Sequence, residues 1–267
     1  MTRRFILWLL LLLFLFLLLP CRVCGAERSV TASVNGESME AVLSDGCTYV
    51  PMRRFLSALD ADYELTWVGE GRCAVGLAAG HFFTAALGTT QLYEDGNALT
   101  SPAPLEVRSG ASYIPLRIAA EALGLSVRWD RERACAVAEG TPLPQRYTEE
   151  ELLWLTRIIS AESQGETLRG QIAVGNVVLN RVSGDSFADT IYDVIFEVSS
   201  GCYQFSPVEN GHIYDTPVPL SHIAAIMALA GYKVVGECRF FFSPQLSEGL
   251  WIRQNCRYAL SIGCHDF

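Results

Sequence analysis

The chain has 267 residues, with 29 Asp and Glu against 20 Lys and Arg, for a formal net charge of −9 at pH 7. An acidic chain with no basic tract is excluded as a general nucleic-acid binder, because such binding rests on neutralising phosphates. It is equally excluded from being drawn by bulk charge to an anionic surface, so a polymeric ligand has to be held by a shaped site.

Residues Met1–Thr2 lead into Arg3 and Arg4, then an uncharged apolar run from Phe5 to Leu19, then Pro20 and the small-residue stretch Cys24-Gly25-Ala26. This is the layout of a secretory signal peptide over residues 1–26, cleaved after Ala26. The run is short for a membrane span, which takes roughly 20 apolar residues, and a retained anchor is the alternative. Pro20 stands where a small residue should precede Cys21 in a lipidation site. The rest of the chain is therefore expected to be exported and extracytoplasmic, at the cell wall or a spore envelope. Seven cysteines remain beyond residue 26: Cys47, Cys73, Cys135, Cys202, Cys238, Cys256 and Cys264. Export permits disulfides, an odd count leaves at least one thiol over, and the pairing does not follow from sequence. Cys256, Cys264 and His265 come nearest to a metal cluster, but without close Cys-x-x-Cys spacing no metal or cofactor is predicted.

Residues 27–140 contain an internal repeat. Tyr49-Val50-Pro51-Met52-Arg53 is followed by Leu56, Ala58-Leu59 and Leu65-Thr66-Trp67; Tyr113-Ile114-Pro115-Leu116-Arg117 is followed by Ala120, Ala122-Leu123 and Val127-Arg128-Trp129. Each copy then ends in an apolar stretch, Cys73–Leu77 or Cys135–Ala138. The pattern predicts a strand, a short helix entered at proline, and two more strands per copy, with each tryptophan covering its helix. These paired motifs resemble the copper amine oxidase N-terminal-like domain, a wall-associated stalk module. Despite that name no copper is expected, since His81 is the only histidine of this half.

Gly140-Thr141-Pro142-Leu143-Pro144 punctuates the chain, and residues 141–147 read as a linker. A helix begins at Thr148, where Glu151 completes a capping box. Leu152, Leu155, Ile158, Ile159 and Ala161 give it one buried stripe. The helix runs into Ala161-Glu162-Ser163-Gln164-Gly165-Glu166, and Gly165 ends or bends it. A second helix is predicted from about Leu168 to Val182 and a third from Leu220 to Val234. Phe240-Phe241-Phe242 reads as a buried strand pairing with Leu250-Trp251-Ile252 in a β-hairpin.

Three runs carry a second resemblance, to the SleB-type cell-wall hydrolases, the spore-cortex-lytic enzymes and their relatives. They are Ala161–Glu166 with Gly170–Val182; Gln204-Phe205-Ser206-Pro207-Val208; and Phe241–Pro244 through Ile262-Gly263-Cys264-His265-Asp266-Phe267. The resemblance covers roughly residues 150–267, so residues 148–267 are identified as the catalytic domain. It implies an α+β protein overall: a lysozyme-like, mainly helical domain with a short β-hairpin, preceded by the small α+β repeat domain. It also implies cleavage of peptidoglycan glycan strands between N-acetylmuramic acid and N-acetylglucosamine, by a lytic transglycosylase acting on spore cortex in germination or sporulation. The first glutamate of the family's motif falls on Glu162.

Residue chemistry points the same way. Glycosidic cleavage needs a carboxylic acid still protonated near neutral pH, and burial behind Ile158 and Ile159 raises a glutamate's pKa. Glu166 is the applicant for a second carboxylate, with a salt bridge or helix cap as its other reading. Tyr203, Gln204, Phe205, Ser206, Tyr214 and Trp251 are candidate sugar contacts, with core packing the alternative for each aromatic. Asn180 and Arg181 are expected to tie loops together, and His265 to make a structural hydrogen bond. Two further readings stand beside this one: a hydrolytic muramidase or glucosaminidase of the vegetative wall, and a non-catalytic wall-binding scaffold. An amidase or endopeptidase fits poorly, because His212, His222 and His265 lack metal-protease spacing. The expected partner is the glycan strand; an inhibitory or anchoring protein has no signature in the sequence.

Overall fold

The computed structural model describes residues 27–267 except positions 71 and 200; the predicted signal peptide lies outside the described residues. β1 (Arg28–Val34), β2 (Glu37–Ser44) and β3 (Cys47–Pro51) form an antiparallel meander. Its turns are Asn35-Gly36 and Asp45-Gly46, all four at positive φ, the chemistry of tight hairpins. There follow α1 (Met52–Ser57), β4 (Glu64–Val68), β5 (Cys73–Ala78), β6 (His81–Ala86), β7 (Gln91–Glu94), β8 (Asn97–Thr100), β9 (Glu106–Arg108), β10 (Ala111–Pro115), α2 (Leu116–Ala122), β11 (Ser126–Asp130) and β12 (Cys135–Glu139).

The two sequence copies therefore fold alike, as β3-α1-β4-β5 and β10-α2-β11-β12. Their leading strands pair antiparallel, with Tyr49 opposite Pro115, Val50 opposite Ile114 and Pro51 opposite Tyr113. Val50 and Ile114, equivalent in the two copies, thus face each other on a local two-fold that exchanges the Tyr49–Pro115 and Pro51–Tyr113 pairs. Seven strands run β11-β12-β1-β2-β3-β10-β9, and five run β4-β5-β6-β7-β8; among these described strands only β1 and β12 pair in parallel. The helices bury Met52, Phe55, Leu56, Leu116, Ala119 and Ala120 in a core shared with both sheets. Trp67 and Trp129 do not cover the helices as expected; they stay 45% and 40% exposed, because the apolar helix faces already point inward.

The second half is helical: α3 (Glu149–Ser163), α4 (Leu168–Val182), α5 (Ile191–Phe196), α6 (Ser206–Asn210), a 3-10 turn (His212–Tyr214), α7 (Pro219–Ala230) and α8 (Leu250–Asn255). Two small hairpins punctuate it, β13 (Val198–Ser199) with β14 (Cys202–Tyr203) and β15 (Ser261–Ile262) with β16 (His265–Asp266). The predicted capping box is formed at α3: Glu151 N donates to Thr148 Oγ1 at 3.2 Å, and Thr148 N to Glu151 Oε2 at 2.8 Å. No helix among the described residues is long and apolar enough to cross a membrane.

A second expectation fails. Phe240–Phe242 is a half-buried extended segment touching the sheet hydrogen bonding only at Phe242, which pairs with Asp266, and Leu250–Ile252 begins a helix. Gly249, at φ +57, turns the chain into that helix. The short hairpins lie elsewhere, at residues 198–203 and 261–266.

The halves share a core. The run Cys73-Ala74-Val75 has no polar face, as befits a strand buried on both sides. Val68, Cys73, Val75 and Phe82 pack with Ile172, Val174 and the apolar residues of α7, while Ala74, Phe83 and Ala85 point into the first domain. At Gly231, φ +103, any Cβ would meet the backbone of Gly96 at 2.7 Å, and Gly96 N donates to Ala230 O at 3.0 Å. The segment 141–147 is pinned here too, with Leu143 N bonded to Leu123 O and Arg146 Nη1 to Asp95 O.

Candidate active site

Glu162 is in the last turn of α3, one turn beyond the fully buried Ile158 and Ile159. Its carboxyl meets no hydrogen-bond partner among the described residues. Burial pushes its pKa up to about 7, and the Arg181 guanidinium pulls in the opposite direction. A carboxyl held at that value is divided between acid and base near neutral pH, the condition for giving a proton and then taking one.

Arg181 comes from the end of α4, whose polar residues bind the segment after α7. Asn176 Nδ2 donates to Tyr232 O, Val234 N donates to Asn176 Oδ1, and Asn180 Nδ2 donates to Gly236 O and Cys238 O. Arg181 Nε donates to Arg239 O at 2.8 Å. The Arg181 guanidinium is 4.8 Å from the Phe205 ring centroid, 5.2 Å from that of Phe240 and 5.5 Å from that of Phe187. It is 4% exposed, and its Nη1 is buried without a partner. Burial disfavours its charge, while Glu197 and then Glu162 support it. Glu197 follows α5 and has a buried Oε2 with no partner. The site thus holds a buried cation whose charge two glutamates support and three aromatic rings surround.

Glu166 is engaged elsewhere. Its Oε1 accepts the Cys264 backbone N–H at 2.8 Å and lies 3.5 Å from His265 Nδ1. Its carboxylate fills the space over Gly263, φ +57, where a Cβ would overlap it. Gln171 Nε2 donates to the Glu166 carbonyl and Gln171 Oε1 accepts from Ser221 at 2.7 Å, bracing the turn after α3. His265 is buried against Phe241 and Phe267, and burial lowers its pKa, so it stands neutral beside Glu166.

The predicted sugar contacts divide. Phe205 is 2% exposed and forms part of the cage around Arg181, with no face left for a ligand. Gln204 is half buried, its N–H bonded to Glu197 O, and Ser206 is exposed at the start of α6. Tyr203, Tyr214 and Trp251 are exposed. Tyr214 stands edge-on to Trp154 at 6.2 Å and Trp251 edge-on to Phe240 at 5.3 Å. Sequence reasoning missed Glu197, Phe187 and Phe240 as neighbours of Arg181, and no local motif marks them. A cavity of about 140 Å³ runs along α3 between Arg157, Ala161 and Gln164 on one side and His212, Asp215 and Thr216 on the other. Glu162 follows Ala161 on the same helix.

Far from Glu162 in sequence, His81, Glu94 and Asp95 are fully buried and close enough to share a metal ion. Their geometry also suits a proton. His81 Nδ1 is 2.7 Å from Asp95 Oδ2 and 3.0 Å from Glu94 Oε1, and Nε2 is 3.1 Å from Leu143 O. A carbonyl only accepts, so Nε2 carries hydrogen, and two carboxylates favour hydrogen on Nδ1 as well. Burial pulls the His81 pKa down, but the bonds to Asp95 and Glu94 outweigh it and hold the group at about 10. The charged imidazole ties the linker to the first domain.

Comparison with known proteins places two families on this chain. The family described as Cell Wall Hydrolase matches residues 165–267, and that described as Copper amine oxidase N-terminal domain matches residues 33–136. Glu166 is inside the first match and Glu162 just ahead of it. A spore cortex-lytic enzyme of Bacillus cereus is 34% identical over 114 residues, 43% of this chain and 42% of that protein. Another, from Halalkalibacterium halodurans, is 31% identical over 116 residues, 43% of this chain and 34% of its own length. The chain thus spans less than half the length of these curated relatives. The catalytic domain of the germination-specific lytic transglycosylase SleB from Bacillus anthracis is 33% identical, with 47% of this chain and 98% of that one covered and a TM-score of 0.42.

Proposed function

Since this chain belongs to the SleB-type cell-wall hydrolase family, with a copper amine oxidase N-terminal-like domain ahead of its helical half, we propose that it cuts the glycan strands of peptidoglycan with Glu162 as the proton-transferring group. The observation that carries this reading is the Glu162 carboxyl itself, largely buried, without a hydrogen-bond partner and held near pKa 7.

Glu162 in its acid form protonates the oxygen between N-acetylmuramic acid and N-acetylglucosamine, and that bond breaks as positive charge develops on the muramic ring. The carboxylate left behind then accepts the proton of the muramic C6 hydroxyl, whose oxygen closes onto C1. The product is a 1,6-anhydro end, no water is consumed, and Glu162 returns to its acid form. Arg181 stabilises the carboxylate between the two transfers, since its charge pulls the Glu162 pKa down. Glu166 is assigned no proton transfer, because its carboxylate is committed to the C-terminal hairpin. Tyr203, Tyr214 and Trp251 offer exposed rings on which sugar faces can stack.

One observation favours a second outcome. Glu197 Oε2 is buried and unpaired, its charge too acts on Arg181, and a second carboxylate could activate water and make the enzyme a hydrolase. The two chemistries separate by mass. Digestion of purified peptidoglycan should give anhydromuramic ends and no fragments with Glu162→Gln; reducing ends would reassign the reaction to hydrolysis, and undiminished cutting by Glu162→Gln would remove the residue from the mechanism. The setting we propose is outside the cytoplasm, with spore cortex as substrate and the first domain holding the enzyme at the wall.

A further inference from the structure

A second concave site, about 380 Å³ in volume, lies between Cys238–Phe242, α8 and the C-terminal hairpin. Arg239, Arg253 and Arg257 line it, with Phe240, Tyr258 and Phe267 among the apolar walls. None of the three arginines has a carboxylate within ion-pair distance among the described residues, whereas Arg54, Arg108, Arg117 and Arg128 each pair with a glutamate. The acid in the lining, Asp266, already accepts a hydrogen bond from Ser261. Arg239 Nε is buried without a partner, and Arg253 is held 5.1 Å over the Phe242 ring.

In a chain of net charge −9, three arginines without an ion-pair partner line one concavity against the single carboxylate of Asp266, an excess of positive charge that a bound anion balances. The planar fork of arginine fits a carboxylate through two parallel hydrogen bonds. The cavity also abuts the active site: Phe240 lines it and lies 5.2 Å from the guanidinium of Arg181, the electrostatic neighbour of Glu162. In a glycan strand of the class proposed above, the anionic groups beside the bond to be cut are the carboxylates of the peptide carried by muramic acid. We propose that this cavity is the seat of that peptide, with Arg239, Arg253 and Arg257 receiving its carboxylate. The assignment rests on the glycan-cutting reading and adds what the enzyme recognises beyond the sugar.

The test uses the full chain carrying Glu162→Gln, so that ligand is bound and not consumed. Calorimetry with a muramyl dipeptide, which bears a carboxylate, is compared with chitotetraose, which bears none. The expected result is that Arg253→Gln with Arg257→Gln weakens muramyl dipeptide binding by at least about tenfold while chitotetraose binding moves by less than about twofold. Arg253→Lys with Arg257→Lys, keeping the charge and losing the fork, should fall between. The proposal is overturned if the parent chain fails to bind muramyl dipeptide, if both ligands weaken equally, or if glycerol 3-phosphate displaces the dipeptide at lower concentration than acetate does, which would assign the cavity to phosphate. Fragment release from walls by the unsubstituted chain keeps the two readings apart: cutting without dipeptide binding sinks only the peptide seat, and dipeptide binding without cutting sinks the catalytic reading.

Discussion

The carboxylate of Glu166 accepts the backbone N–H of Cys264 at 2.8 Å, across a sequence separation of 98 residues. It thereby fixes the last hairpin of the chain to the turn that follows the proposed catalytic glutamate. Replacing it with alanine removes that hydrogen bond and leaves an exposed donor to water, a loss of about 0.5–1.5 kcal/mol. Glu166→Ala should therefore unfold at lower temperature, while Glu166→Gln, which keeps an accepting oxygen, should hold most of the stability and most of the wall-clearing rate. Thermal unfolding and turbidity loss on purified walls measure the two; a Gln variant with normal unfolding and no clearance would make Glu166 a catalytic group after all.

The raised pKa of Glu162 predicts the pH dependence of both activity and stability. As the acid proposed to protonate the leaving oxygen, it would work in its protonated form, so kcat/KM should fall as pH rises through about 7. For stability, the folded-state pKa lies above the unfolded value near 4.5, so folding favours the protonated form. Stability from this group is present below about 4.5 and is lost as pH climbs through about 7. Glu162→Gln should match the parent at low pH and exceed it in unfolding temperature above neutrality. Equal unfolding temperatures for the two proteins across that whole range would contradict the burial argued for this carboxyl.

How much of this could be read from the sequence depends on the range of each interaction. Thr148 and Glu151 meet within one helical turn, so α3 was legible at its first residue, and α4 followed from the spacing of its apolar positions. The duplicated Tyr-Val/Ile-Pro motif foretold both copies, but the local two-fold at Val50 and Ile114 is a pairing between strands, which no single window of sequence contains. Phe240–Phe242 was misread because three apolar residues in a row look like a strand; Phe240 is instead spent caging Arg181, and Phe242 lies beneath Arg253. Glu197 and Phe187 reach Arg181 only through the fold, and Phe205 looked like a sugar contact only because its burial was not visible.

Arg181 is expected to govern the acidity of Glu162. Removing the guanidinium takes away the one charge that favours the carboxylate, so in Arg181→Met the upper limb of the pH–rate profile should move to higher pH. The substitution also breaks the charged hydrogen bond to Arg239 O, costing about 1.5–3 kcal/mol, so a lower rate alone is uninformative. Arg181→Lys separates the effects, because it restores the charge without the fork and should return the limb toward its original position. A profile that stays fixed in Arg181→Met, measured on folded protein, would leave Arg181 as a structural brace.

His81 makes the most exacting case, since a single proton there joins the two halves of the chain. With Nε2 on Leu143 O and Nδ1 between Asp95 and Glu94, the charged imidazole neutralises one of two buried carboxylates and anchors the segment leading into α3. Replacing it with Gln removes the charge and leaves both acids behind, a change of about 3–5 kcal/mol for a buried pair that loses one partner. Because sheet and helices share a core through Phe82 and α7, the loss should appear as a lower transition for the whole chain. The pH sign follows from its pKa, raised from 6.5 to about 10: the stabilisation is complete below 6.5 and disappears as pH rises through about 10. Glu94, which burial holds above its usual range, also favours its protonated form in the fold, so its contribution too is lost as pH rises. The unfolding temperature of the parent should fall between pH 7 and 10 more steeply than that of His81→Gln, and the two curves should converge at the alkaline end. If a chelator lowers the parent's transition at neutral pH and added divalent metal restores it, the cluster holds an ion in place of the proton, and the alkaline loss should then be absent from the metal-loaded protein.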